Sequence, residues 1–376
     1  MEKKSSIPEP YQDRWHRLLK VLKKKGLSAI LISQPENRRF LSGFRPGDPQ
    51  LNESSGFLIL GPKLAILGTD PRFEGEVSKQ AKGFFPFIYR KGLENSWAEI
   101  QNHLKPFKKM AFEGQALSFH TYQRFQKLIR SGGNACSFLP TFQLVEEIRA
   151  QKDPGELKSI RCSLDITEKV FQKVFKSLRP GKTEKEISWM IKSLIHQFGG
   201  EDIAFEPIVA AGPNAALPHA EPTDREIRKG EPVLFDFGSK WRGYCSDLSR
   251  TVILGRPSDR FKEVYALVRK AQVAAEKGMR AGMTTAAADA LARSEIEKGG
   301  YGPYFKHSLG HGVGLATHEP PSLSPVRPEP LKTGMVVTIE PGIYLPGWGG
   351  VRLENMAVIQ EKKAKVLNKD QSFYVF

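Results

Sequence analysis

A carboxylate in the middle of an apolar strand is hard to fold around, and this chain has four placed in that way. Asp236 lies within Val233-Leu234-Phe235-Asp236-Phe237-Gly238, a run whose composition reads as a buried strand. A lone carboxylate there costs several kcal/mol unless it is paired or bound to a cation. After a turn at Ser239–Gly243, a second arm, Tyr244–Val252, carries Asp247. A hairpin of that length can set two strand residues of matching face side by side. Met335–Ile339 leads into Glu340, and Glu354 follows beyond a glycine-rich turn at Gly347–Gly350. Four such acids cannot share a core as anions: either protonation spreads their pKa values or they surround metal.

The histidines narrow the choice. Of the eight, His16, His103, His120 and His196 sit among charges in helical or loop contexts and read as surface residues. His307 is intermediate, and His219, His311 and His318 gather in the same part of the chain as the acids. Gly310, Gly312 and Gly314 argue against a helical His307/His311 zinc pair, and His318-Glu319 has no second histidine four positions on, so the zincin pattern is absent. Four carboxylates with His311 as nitrogen donor are too acidic a set for structural zinc. They suit two hard or borderline divalent ions bridged by carboxylates, a layout used for hydrolysis.

The 376 residues divide by pattern into two domains. In the first, Trp15–Lys24 has helical spacing and stops at Gly26; Leu27–Ile32 reads as a buried strand and Gln34–Asn37 as a turn; Gly56–Leu60 and Leu64–Leu67 read as a hairpin. A polar, charged stretch over Glu146–Glu156, broken by Asp153-Pro154-Gly155, marks the boundary. Two helices follow between Leu157 and Phe198, the second capped by Thr183 and Glu186. One long helical stretch spans Arg260–Lys298.

With 57 basic and 41 acidic residues the net charge is +16. That raises nucleic acid as a partner, yet the excess leans toward the first 150 residues and lacks interleaved stacking aromatics. It reads as solvated lysine on helix faces and loop tips. No stretch approaches the ~20 apolar residues a membrane span needs. The polar start, Met1–Trp15, lacks the apolar middle of a signal peptide, and Cys136, Cys162 and Cys245 show neither paired nor metal-like spacing. Free thiols in the cytoplasm are the expectation.

The ordered set Phe235-Asp236-Phe237-Gly238, Gly243-Tyr244-Cys245-Ser246-Asp247, His307-Ser308-Leu309-Gly310-His311-Gly312-Val313-Gly314, Thr338-Ile339-Glu340-Pro341-Gly342 and Val351-Arg352-Leu353-Glu354 resembles the pita-bread metallopeptidases. Ala29–Ser33 and Asn37–Phe44 resemble the N-terminal domain of their proline-specific branch, the Xaa-Pro dipeptidases and aminopeptidases P. The resemblance implies an α/β (α+β) chain. A creatinase-like α/β domain would occupy residues 1–148, and a pita-bread catalytic domain, a curved antiparallel sheet covered by helices, residues 149–376. It implies two divalent ions, manganese foremost, with cobalt, zinc and iron compatible. Asp236 would hold the first, Asp247 and Glu354 would bridge, and His311 and Glu340 would complete the second. A bridging water would attack the scissile carbonyl with Glu340 as proton shuttle. His219 and His318 would act at the reacting carbonyl. Arg352, two positions before Glu354 and on the same face, reads as orienting an acid or the substrate's C-terminal side, and His307 is a further candidate for binding substrate.

The expected substrates are short proline-containing peptides, cleaved at the Xaa-Pro bond, with a homodimer as the assembly and neither a specific nucleic acid nor a membrane as partner. Pro218, Tyr244 and Trp348 are candidates to line a prolyl pocket, and Cys245 reads as a small core filler. In some dipeptide-cleaving relatives an arginine soon after the histidine matching His318 holds the substrate carboxylate; here only Arg327, farther along, is available. Two alternatives stand beside hydrolysis: a non-catalytic protein using its basic surface for RNA or a protein partner, and a creatinase-type C–N hydrolase. Both should have lost several of the five ligand positions.

Overall fold

The computed structural model describes residues 7–50, 52–131 and 135–376; the first six residues of the polar start lie outside them. The chain divides into two compact units, Met1–Arg149 and Ala150–Phe376.

In the first unit the elements run α1 (Tyr11–Lys24), β1 (Ala29–Ile32), α2 (Pro35–Ser42), β2 (Phe57–Gly61), β3 (Leu64–Thr69), α3 (Glu74–Gln80), β4 (Phe85–Ile88), α4 (Leu93–Ser96), α5 (Ala98–Leu104), β5 (Lys109–Glu113), α6 (Phe119–Arg130), β6 (Ser137–Thr141) and α7 (Leu144–Ala150). The strands make one six-stranded sheet in the order β4-β3-β2-β1-β5-β6. It is mixed: β1–β5, β5–β6 and β3–β4 are parallel, while the β2–β3 hairpin is antiparallel as its turn residues predict. The expected turn at Gln34–Asn37 is instead the start of α2. Pro35 occupies the first helical turn, where its missing N–H is no loss, and Gly43 ends the helix in the left-handed region at φ +79°. Asn37 and Arg38 point inward, both fully buried.

The second unit begins with α8 (Pro154–Ser177) and α9 (Glu184–Gln197), then β7 (Asp202–Ile203), β8 (Ile208–Ala211), β9 (Pro232–Phe237), β10 (Ser239–Trp241), β11 (Tyr244–Cys245) and β12 (Leu248–Ile253). Helices α10 (Asp259–Gly278) and α11 (Thr285–Lys298) lead to β13 (Gly310–Gly312), β14 (Glu319–Leu323), β15 (Val336–Ile339), β16 (Gly342–Leu345), β17 (Gly349–Arg352), β18 (Asn355–Ile359) and β19 (Ala364–Val366). The pairings of these strands are antiparallel. Two sheets matter most for position, β12-β9-β8 and β14-β13-β15-β18-β19. They meet where the Glu354 N–H donates to the Ser249 carbonyl at 3.0 Å.

Three local readings need correction. Asp153-Pro154-Gly155 opens a helix rather than breaking one. The Asp153 carboxylate accepts from the Glu156 N–H and the Glu156 side chain accepts from the Asp153 N–H, a capping box with proline just inside. The helical stretch from Arg260 to Lys298 is two helices. Gly282, at φ +83°, takes a backbone conformation no helix continues through, and the Thr284 side chain caps the second. Glycines Gly349 and Gly350 belong to β17 rather than to the turn before it.

The core explains the helical faces. Apolar residues of α8 and α9, including Val170, Phe171, Val174, Ile187 and Ile191, pack on Phe235, Phe237 and Leu248 of the β9–β12 pair. Between α8 and that pair lies a small polar island: Ser163, Thr167, Ser239 and Ser246 are buried and bond one another through their hydroxyls. The Ser239 N–H donates to Thr167 Oγ1 at 3.0 Å. Every donor of this island has an acceptor, so it locks the hairpin leading to Asp247 against α8. The described helices include none long and apolar enough to cross a membrane.

A second buried polar pair joins the start of this unit to β14. Lys152 Nζ lies 2.7 Å from Glu319 Oε1, with the two side chains 1% and 2% exposed. Lys152→Met is expected to destabilise the unit by about 3–5 kcal/mol, because it leaves a carboxylate buried without its cation. Pairing it with Glu319→Leu should recover most of that loss. Chemical denaturation checks both; a single variant as stable as wild type would show that water reaches Glu319.

Candidate metal centre

The five positions singled out as ligands come from five different places in the second unit. Asp236 is in β9, and its cross-strand neighbours are Ile208 and Ser249. Asp247 precedes β12 by one residue instead of sitting inside the strand, so the hairpin does not face it directly to Asp236. Glu354 occupies the short connection from β17 to β18, and its N–H reaches Ser249, the residue opposite Asp236. These contacts bring carboxylate oxygens of Asp236, Asp247 and Glu354 within 4.8 Å of one another.

His311 and Glu340 approach from the other sheet. A bulge in β13 between His311 and Gly312 turns the histidine, whose Nδ1 faces the Gly312 carbonyl at 3.1 Å. Its Nε2 is then 3.3 Å from Glu340 Oε1 and 3.7 Å from Asp247 Oδ2. Thr338 binds both residues, accepting from the His311 N–H and donating to Glu340 Oε1, each at 3.0 Å.

Electrostatics resist all of these carboxylates being anions at once without a cation among them. Asp247 and Glu354 are 4% and 1% exposed. Asp236 Oδ1, Asp247 Oδ1 and Glu354 Oε1 are buried and have no hydrogen-bond partner among the described residues. Burial, then the charge on Glu354, pushes Asp247 well above the usual carboxylate range; burial, then Glu340, does the same to Glu354. Burial raises Glu340 to about 8. His311 is lowered, chiefly by burial, so its ring is a neutral nitrogen donor. Unpartnered oxygens on converging buried acids, with a neutral imidazole beside them, are a donor set that fits hard or borderline divalent cations.

The second set of candidates flanks the first. His318 keeps part of its surface open to water, its ring centroid 4.2 Å from that of His311; partial desolvation by the surrounding protein, then His311, lowers its pKa. His219 is exposed on the loop between β8 and β9. His307 is pushed down to about 3, chiefly by burial and then by Arg352, and is a neutral ring. Its Nδ1 faces the Ser308 carbonyl and its Nε2 the Tyr344 hydroxyl, each at 2.8 Å. Arg352 pairs with Asp236 at 2.5 Å rather than with Glu354, two positions on. It also donates to Ser249 Oγ, to the Pro218 carbonyl and to Tyr344 Oη. The structure thus brings the five ligand candidates, His307, His318 and Arg352 into one region, and Arg352 ties the loop bearing His219 to it through the Pro218 carbonyl.

Tyr344 was not foreseen. It is buried in β16 and joins His307 to Arg352 and through it to Asp236. A tyrosine in an apolar strand gives no signal that separates this role from core filling. Of the pocket candidates, Pro218 is held by Arg352, whereas Tyr244 donates to Glu156 and Trp348 packs on the helical core with Arg260 over its ring. Arg327 is exposed. Cys245 is buried with Val313 and Met356, and none of the three cysteines is in a disulfide.

Comparison with known proteins bears on what such a site belongs to. Residues 158–361 match metallopeptidase family M24, and residues 14–151 match the creatinase/prolidase N-terminal domain. The chain is 33% identical to the Xaa-Pro dipeptidase of Pyrococcus furiosus over 360 residues, 96% of this chain and 99% of that one. Among solved structures, the Xaa-Pro dipeptidase from Bacillus anthracis superposes with a TM-score of 0.90 at 34% identity, covering 97% of this chain and 99% of that chain. The X-Pro aminopeptidase from Thermotoga maritima gives 0.85 at 32%, covering 97% and 100%. The chain therefore belongs to metallopeptidase family M24, with a creatinase/prolidase N-terminal domain ahead of the peptidase domain.

Proposed function

We propose that this metallopeptidase hydrolyses the Xaa-Pro bond of dipeptides or of the N-terminus of short peptides, using two divalent ions. The observation that carries the reading is the convergence of three carboxylates, each with a buried unpartnered oxygen, near His311 and Glu340. Asp236, Asp247, His311, Glu340 and Glu354 would hold the ions, with Asp247 and Glu354 shared. When bound, the ions supply Lewis acidity at the scissile carbonyl and make a water acidic enough to attack it.

The remaining work falls to side chains. Glu340, with Oε1 held by the Thr338 hydroxyl, takes the proton of the attacking water and returns it to the departing proline nitrogen. His318 donates to the oxygen on which negative charge develops. His219, His307 and Arg352 orient the substrate, Arg352 held by Asp236 and Tyr344. Proline specificity rests on the relatives named for it and on a physical need. An Xaa-Pro bond lacks an N–H, so a peptide cannot dock there by ordinary strand pairing. A site that grips the free amine and the ring avoids that requirement.

Protein reconstituted with Mn, Co, Zn or Fe should cleave Ala-Pro, Ala-Pro-Ala or both, and leave Met-Ala-Ala intact. Cleavage of the dipeptide alone makes it a dipeptidase; release of alanine from the tripeptide makes it an aminopeptidase. Inertness toward all three with every ion would refute the reading. Chelation should abolish activity and lower the melting temperature, and added manganese should raise it with concentration, as for any ligand that binds only the folded state. Asp247→Ala should lose bound metal by elemental analysis and drop turnover to background while keeping its circular dichroism. Near-normal turnover would remove Asp247 from the ligand set.

A further inference from the structure

The loop that carries His219, between β8 and β9, is fastened at both ends to one side chain. Glu184, the first residue of α9, is fully buried. At the near end its Oε1 accepts from the Ala211 N–H at 2.7 Å, and both its oxygens accept from Asn214 Nδ2 at 3.1 Å. At the far end its Oε2 accepts from the Thr223 N–H at 2.9 Å and from Thr223 Oγ1 at 2.6 Å. The first turn of α9 adds to the clamp: the Glu184 and Lys185 N–H groups donate to the Arg225 and Thr223 carbonyls, each at 3.1 Å. One side chain accepting from four donor groups at both ends of the loop ties the residues that carry them together.

The middle of the loop is held on its other side by the metal-centre strands. The Ala215 carbonyl lies where a Cβ on Gly350 would come within 2.1 Å, so only glycine in β17 admits the loop. Arg352 donates to the Pro218 carbonyl at 3.1 Å. Leu217 and His219 themselves project outward, Leu217 59% exposed. The direction in which His219 points is therefore set at the loop's ends and by the Pro218 carbonyl.

We propose that Glu184 is a positioning residue for substrate recognition: by tying Ala211 and Asn214 to Thr223 it presents His219 to the substrate, without part in metal binding. The substrate role of His219 rests on the function proposed above; the anchoring of the loop does not. A glutamine at this position keeps the shape but turns one acceptor into a donor facing donors, which the site cannot satisfy.

The test uses full-length metal-loaded Glu184→Gln. Backbone amides of Ala211 and Thr223 should exchange with solvent about tenfold faster while those of β9 and β12 stay protected. Bound metal should match wild type. KM for the cleaved proline peptide should rise about tenfold with kcat within about threefold, since the lost contact serves the bound substrate. In a His219→Ala background the same substitution should have no further effect on kcat/KM. Thr223→Val, which removes one donor and keeps Glu184, should show the same pattern more weakly, and it decides the matter if Glu184→Gln does not fold. Unchanged exchange overturns the anchor. Loss of metal, or equal losses with and without His219, overturns positioning through His219. Wild-type protein that cleaves no proline peptide refutes the function proposed above and with it the substrate role, leaving the anchor to be judged by exchange.

Discussion

The second unit is organised around like charges that cannot be buried together unaided. Asp247 and Glu354 are almost wholly removed from water, Asp236 and Glu340 nearly so, and three of their oxygens have no hydrogen-bond partner among the described residues. No packing of apolar side chains offsets that desolvation; a cation does. Membership of a metallopeptidase family is consistent with the demand the geometry makes by itself.

Much of the surrounding structure reads as a consequence. The carboxylates are delivered from strand β9 and from the ends of other strands, places far apart in the chain. Two sheets joined at Ser249 and Glu354 bring those places together. The hydroxyl island under the β9–β12 hairpin holds one edge, Thr338 the other. Arg352 pairs with Asp236 Oδ2 and, through Tyr344 and the Pro218 carbonyl, couples the acids to His307 and to the His219 loop.

Where sequence reading failed, it failed through context rather than composition. Gln34–Asn37 has turn residues, yet Pro35 serves equally well in a first helical turn, and only the burial of Asn37 and Arg38 selects the helix. Asp153-Pro154-Gly155 is ambiguous in the same way, since a breaker and a cap share residues. The long stretch after Arg260 has helical spacing throughout; the left-handed Gly282 splits it, and one glycine in a helical pattern does not announce that. Tyr344 and Glu184 were invisible because their importance lies in partners distant in the chain, and neither residue type is unusual where it stands.

The sequence by itself singled out the acids and the histidine that the structure brings together. Acids inside apolar runs, with His311 among glycines, leave few chemical outcomes, because a carboxylate taken out of water needs a proton, a partner or a cation. It also determined the alternation of elements, through period and caps. Only the tertiary structure decided which carboxylates share a space, that Arg352 serves Asp236 rather than Glu354, and that one buried glutamate closes the loop bearing His219. Those are matters of register and of contacts between residues far apart in the chain, set by how two sheets meet, and no local pattern encodes them.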